Sequence, residues 1–326
     1  MKAIEEYKRT RQILFEKENI QPQSKFVNTN GPVKNVHYLE MGKGQPLIMI
    51  HGGGSHASEW INIMKPLAEH FHLFVVDRPG HGMTDPFIYR GVAYQEIAVD
   101  FVRTFMDALG LEKTFLMGNS MGGYFSIVFT MEHPERVEKL LLIGAPAGVN
   151  RRIPFMLRLF GWKGINQLLL KTVAKPSFSS MKNIHKQILV ADMDHLSKDY
   201  LQHCYYNSLL PGYQQAFITM LENVLTLRGW RKDLYLGDRL HRLQVPVRFI
   251  WGTEDAFEKP ETGMKKASAI EDYKFEVIEN AGHCPWLDQP DECAHLIISM
   301  LEDQRNNDSN NVPQKQSQSM FSKNRF

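Results

Sequence analysis

The stretch Thr114-Phe115-Leu116-Met117-Gly118-Asn119-Ser120-Met121-Gly122-Gly123 decides the reading of this chain. Its first four residues are an apolar run of strand type, and a helical pattern runs from Gly123 towards Glu132. Between them stands G-x-S-x-G, a motif that gains meaning at such a strand-to-helix turn. Small residues at both ends let the two elements approach closely, and the tight turn pushes the Ser120 hydroxyl out of the backbone. The first turn of the helix points free N–H groups at whatever reacts with the serine.

An acid and a base follow in order. Val247–Trp251 reads as a buried strand ending in Gly252-Thr253-Glu254-Asp255, and the strand-like Phe275-Glu276-Val277-Ile278 precedes Ala281-Gly282-His283. Ser120, Asp255 and His283 each lie just beyond the carboxyl end of an expected strand, where the loops of an open parallel sheet converge on one crevice. The residue types fit nucleophilic catalysis. A serine hydroxyl needs a base to take its proton, and the imidazole needs an acid to fix its tautomer and stabilise its charged form. The W-G-x-x-D spacing selects Asp255 over the adjacent Glu254. Upstream, Pro46–Ile50 runs directly into His51-Gly52-Gly53-Gly54. The N–H of Gly53, with that of Met121, would form an oxyanion hole.

From about residue 33 to 303 the chain resembles the α/β-hydrolase superfamily, in which nucleophile, acid and base follow in this order. His51-Gly52-Gly53-Gly54, then Trp60-Ile61-Asn62, together with Gly118-Asn119-Ser120-Met121-Gly122-Gly123, are similar to the meta-cleavage-product hydrolases, which cut carbon–carbon bonds in ring-fission dienoates. That resemblance implies Gly53 and Gly54 at the oxyanion site, Asn62 and Asn119 near the substrate, and Ser120, Asp255 and His283 as the triad. Two positions depart from the family. Where it sets a tryptophan directly after the histidine, this chain has Cys284, and Trp286, two residues on, is taken as the substrate-side indole. Where it grips the substrate carboxylate with a cap arginine, this chain has Cys204. A neutral thiol cannot replace a bidentate guanidinium, so the dienoate is disfavoured while the hydrolytic machinery is untouched.

The expected fold class is α/β: a mostly parallel twisted sheet with helices on both faces and an inserted helical cap. Strands are expected at His37–Met41, Pro46–Ile50, Leu73–Asp77, Thr114–Met117, Lys139–Ile143, Val247–Trp251 and Lys274–Ile278. Several are continuous apolar runs, as strands covered on both faces require. The division is an N-terminal extension over 1–32, a hydrolase core over 33–145 and 243–303, and a helical cap over 146–242. The extension reads as an amphipathic helix outside the core, and the polar segment 304–326 as a disordered tail. The Asp77-Arg78-Pro79-Gly80-His81-Gly82 turn reads as architectural, although Asp77 and His81 could pass for catalytic groups.

A length of 326 residues accommodates one such core with an insertion. The formal charge of +2 offers no general attraction for nucleic acid. Cys204, Cys284 and Cys293 imply no disulfide framework, and reduced thiols fit a cytoplasmic setting. Cys284 reads as a small residue filling space under the site rather than a redox group. No secretory signal is legible at the amino terminus, and no apolar run approaches the roughly 20 residues that span a bilayer.

Residues 151–190 hold Arg151, Arg152, Arg158, Lys163, Lys171, Lys175, Lys182 and Lys186, and no acid. Docking to an anionic membrane, attraction of an anionic substrate and a merely solvated face are all open readings of that run. The leading expectation is a serine hydrolase of a small or medium apolar carboxylic ester, needing no metal or organic cofactor. The alternatives are a dienoate carbon–carbon hydrolase, a monoacylglycerol-type lipase and, from another class, a ligand receptor on the same fold. The expected partner is a small-molecule ester, and the sequence is silent on oligomeric state.

Overall fold

The structure, a computed structural model, describes residues 2–149, 153–171 and 175–303. Eight strands form its main sheet: β1 (Gln23–Asn28), β2 (Asn35–Met41), β3 (Gln45–Ile50), β4 (Phe71–Val76), β5 (Thr114–Asn119), β6 (Val137–Ile143), then β9 (Val247–Gly252) and β10 (Tyr273–Ile278). A two-stranded ribbon, β7 (Leu225–Thr226) with β8 (Gly229–Trp230), stands apart. The order across the sheet is β1-β2-β4-β3-β5-β6-β9-β10, antiparallel at the first two pairings and parallel in the rest.

Period-2 alternation divides the core between the two faces of the sheet. In β3, Ile48 and Ile50 join one apolar cluster, and Leu47 and Met49 join the other. Strand β6 repeats this, with Leu140 and Leu142 on one side and Leu141 and Ile143 on the other. Helices Tyr94–Ala108 and Ser120–Glu132 cover the first face, and Ile61–Ala68 and Pro290–Glu302 the second. Burial on both faces is why these strands read as unbroken apolar runs.

All seven expected strands are present within two residues of their expected ends. Strand β1 falls within the 1–32 extension, where the sequence pattern shows no strand. It is an outer strand with a mostly exposed burial pattern, and its one aromatic residue, Phe26, is 57% exposed. Such a strand carries little apolar signal. The N-terminal helix Lys2–Lys17 also corrects an expectation. It is not outside the core: Tyr7, Thr10, Arg11, Leu14 and Phe15 are buried, and the helix packs against Lys198–Ser208. The expected tail at 304–326, and Arg151 and Arg152 of the basic run, lie outside the described residues. Among the described residues no helix is long and apolar enough to cross a membrane.

Candidate active site

Strand β5 ends at Asn119 and the helix beginning at Ser120 turns sharply away from it. Ser120 takes φ of +49°, a left-handed conformation that costs a non-glycine residue about 1–3 kcal/mol. Glycine is required on both sides. A Cβ on Gly118 would lie 2.6 Å from the Gly122 backbone, and one on Gly122 would lie 2.0 Å from the Ile50 carbonyl oxygen. The strained turn is therefore held by close contact with β3.

The loops after β9 and β10 bring the acid to the base. His283 Nδ1 lies 2.9 Å from Asp255 Oδ2, and both side chains are buried. Asp255 Oδ2 also accepts the Ala145 N–H at 2.9 Å, and Oδ1 accepts the Phe257 N–H at 2.8 Å. Since a carboxylate only accepts, Nδ1 carries the imidazole proton and Nε2 is left with a lone pair. Nε2 is buried and has no hydrogen-bond partner among the described residues. Ser120 and His283 line one chamber of about 190 Å³, together with Gly53, Gly54 and Met121. Met121 lies in the first helical turn, whose N–H groups have no intrahelical acceptor.

Leu157, Met181, Ile184, Tyr213, Phe217 and Met220, all from the stretch between Ala145 and Arg242, line this chamber. Most of the lining is apolar, and none of the lining residues described is Lys or Arg. The chamber's carboxyl group is Glu59, which is buried and whose pKa burial lifts from 4.5 to about 7. Glu59 Oε1 accepts the Gly52 N–H at 3.2 Å, and Oε2 accepts the Ser55 hydroxyl. Cys204 lines the wall, and burial raises its thiol to about 12, so it remains an uncharged thiol. Cys284 lines the chamber too, with its thiol pushed well up by burial. An uncharged thiol there suits packing rather than nucleophilic or redox work.

Of the residues expected near substrate, Gly54 and Asn119 line the chamber. Asn119 is committed to the scaffold, however: its Nδ2 donates to Ile143 O at 2.8 Å and to His283 O at 3.1 Å, tying elbow to histidine loop. Asn62 and Trp286 need correction. Neither lines the chamber. Asn62 sits on the helix Ile61–Ala68. Trp286 is fully buried, stacks on Trp60 with ring centroids 4.1 Å apart, and donates its indole N–H to Glu59 O at 2.8 Å. Its place two residues beyond Cys284 turns it into the core instead of towards substrate.

The Asp77 turn is architectural. The buried Asp77 carboxylate binds His37 Nδ1 at 2.6 Å and accepts the N–H groups of Ala57 at 2.6 Å and Met83 at 2.9 Å. Burial alone would raise its pKa, yet these partners hold it well below the usual range. His81 Nδ1 bonds the Pro79 carbonyl at 2.9 Å, and burial lowers its pKa to about 3.

Residues 45–290 match the model of the alpha/beta hydrolase fold family, and the chain belongs to that family of enzymes. Among curated proteins it is 28% identical over 274 residues to a 2-hydroxy-6-oxo-6-phenylhexa-2,4-dienoate hydrolase of Comamonas testosteroni, covering 82% of this chain and 91% of the relative. The counterpart from Burkholderia cepacia is 29% identical over 289 residues, covering 85% and 96%. Among solved structures, the carboxylesterase CesB of Bacillus subtilis superposes with a TM-score of 0.74 at 20% identity, over 92% of this chain and 99% of that one. The dienoate hydrolase BphD of Rhodococcus gives 0.71 at 22% identity, over 87% and 100%.

Proposed function

We propose that the protein is a serine hydrolase cleaving an uncharged carboxylic ester of small or medium apolar character. The observation that carries this reading is the chamber wall: apolar side chains, Cys204, the carboxyl of Glu59, and no described Lys or Arg. Bringing a carboxylate substrate into that space would strip it of water with no cation in return.

In this reading His283 Nε2 takes the Ser120 proton as the hydroxyl attacks the carbonyl carbon, and Asp255 stabilises the imidazolium. The N–H groups of Gly53 and Met121 bind the oxyanion. The imidazolium protonates the departing alcohol, leaving an acyl-Ser120 ester. Water deprotonated by His283 then releases the acid and restores Ser120. Residues 33–145 and 243–303 serve as the hydrolase core and 146–242 as the cap that keeps bulk water out.

Dienoate carbon–carbon hydrolysis is the second reading, supported by relatives at 27–29% identity whose names carry it. A lipase-like reading draws on exposed Phe155, Trp162 and Phe178 standing among exposed Lys163, Lys175 and Lys182 of the cap. Turnover of p-nitrophenyl esters from acetate to palmitate, beside depletion of 2-hydroxy-6-oxo-6-phenylhexa-2,4-dienoate, separates the three. A short- or medium-chain optimum lost in Ser120→Ala is expected. Dienoate depletion without ester turnover would overturn the ester reading, and a palmitate optimum would favour the lipase.

A further inference from the structure

On the helix Lys198–Ser208, Tyr200, Cys204 and Asn207 are four and three residues apart, share one face, and all line the chamber. His56, from the loop that follows the triple glycine, meets this face with Nε2 3.9 Å from Cys204 Sγ. His56 and Asn207 are each 1% exposed. Among the described residues, neither His56 Nδ1 nor Asn207 Oδ1 has a hydrogen-bond partner.

Behind them lies more of the same. His203 stacks on Tyr7 with centroids 4.5 Å apart and meets His56 edge-on at 4.7 Å. His203 Nε2 is likewise buried without a partner among the described residues, whereas the Tyr7 and Ser58 hydroxyls lie close enough to act on each other. The Thr10 hydroxyl donates to a backbone carbonyl of its own helix, so its contact with His203 Nδ1 at 2.9 Å makes that nitrogen the donor. His203 Nε2 is then a bare acceptor. Leaving a buried polar atom unpaired is costly, so unpaired His56 and Asn207 on the chamber wall mark a place a ligand can fill.

We infer that the wall formed by His56 and Asn207 beside Cys204 is a subsite for a hydroxyl group on the substrate, separate from the ester carbonyl. The inference rests on the ester reading above. A hydroxyl both donates and accepts, so it can pair with the His56 imidazole and the Asn207 amide at once. The partner must be uncharged. The groups facing His56 are the Cys204 thiol, the Tyr7 ring and His203, with Asp77, Arg11 and His185 acting at longer range. Burial dominates over them, lowering His56 to about 4 and His203 well below its ordinary value, so both rings are neutral at pH 7. Neutral imidazole and amide offer no countercharge to an anion, and the Glu59 carboxyl, which acts on the Cys204 thiol of this wall, discourages one. The position where the resemblance implies a carboxylate-gripping arginine is thus rebuilt for a neutral polar group.

Binding to the full-length Ser120→Ala protein tests this without requiring turnover. The ligands are 1-octanoylglycerol (hydroxyls on the alcohol side), methyl 8-hydroxyoctanoate (hydroxyl on the acyl side) and methyl octanoate, followed by intrinsic tryptophan fluorescence. One hydroxylated ligand should bind about tenfold tighter or more than methyl octanoate, because a site built to hydrogen-bond a hydroxyl penalises its absence. That ratio should collapse on adding His56→Phe or Asn207→Leu, and persist with His56→Gln, which keeps a hydrogen-bonding group. Equal binding of all three ligands would overturn the subsite, as would a preference that survives both apolar variants. Hydrolysis of methyl octanoate by the wild-type protein separately tests the ester reading, so the two failures are distinguishable.

Discussion

Glu59 grips Gly52: the Gly52 N–H donates to the carboxylate at 3.2 Å, while the Gly52 carbonyl accepts from Arg78 Nη2 at 2.8 Å. The Ser55 hydroxyl donates to the other Glu59 oxygen. One buried carboxyl therefore holds both ends of the Gly53-Gly54 segment proposed to cradle the oxyanion. Its backbone carbonyl also takes the Trp286 indole N–H at 2.8 Å, linking that loop to the one bearing His283.

The ionisation of Glu59 gives a pH prediction. Burial lifts its pKa from 4.5 to about 7. Between those values the folded chain keeps a proton that the unfolded chain releases. The stability it contributes is full below 4.5 and is lost as pH rises through about 7, a span of about 3 kcal/mol. The buried imidazoles of His56 and His81 act with the opposite sign, since burial lowers them to about 4 and about 3. Comparing wild type with Glu59→Gln isolates the carboxyl. In urea unfolding, the stability difference, wild type minus variant, should fall by up to that amount between about pH 5 and about pH 8. A constant difference would contradict the assignment.

Asp255→Asn should reduce turnover on the order of 10⁴-fold, because an amide at this position favours the wrong imidazole tautomer. Since Asp255 also accepts two backbone N–H groups, its variant must be checked for an unchanged circular dichroism spectrum. Full activity in a folded Asp255→Asn protein would remove Asp255 from the proposed triad.

Cys204→Arg should relax the chamber's charge preference. A guanidinium on this wall would supply the cation it lacks, so kcat/KM for an ester bearing a free carboxylate, relative to its methyl ester, should rise about tenfold or more. An unchanged ratio would show that the Cys204 wall does not set charge selectivity.

Tyr7→Ala tests the N-terminal helix. Tyr7 is fully buried and stacks on His203 of the helix Lys198–Ser208. Removing its ring should cost about 3 kcal/mol or more in urea unfolding. A cost near zero would mean that the helix is an appendage, as its sequence alone suggested.

What could be read from the sequence was what local pattern encodes. The six inner strands announce themselves because burial on both faces favours apolar runs. Strand β10, at the other edge, shows itself by alternation, with Tyr273, Phe275 and Val277 set against Lys274 and Glu276. Ser120, Asp255 and His283 stand out because each follows one of these strands. Strand β1 hid because an exposed outer strand needs few apolar residues. Trp286 was misplaced because its position beside the histidine says nothing of which way its ring turns. Glu59, His56 and Asn207 gave no signal at all, since their meeting depends on a loop after β3 and a helix some 150 residues later coming together across the chamber.

The most direct test of the proposed chemistry is the pre-steady-state reaction with p-nitrophenyl acetate. The proposed acyl-enzyme requires a burst of p-nitrophenol stoichiometric with protein, together with one acetyl group on the peptide containing Ser120. Ser120→Ala should show neither. Turnover without a burst and with Ser120 unmodified when the reaction is quenched, or a burst that survives Ser120→Ala, would contradict catalysis through a serine ester.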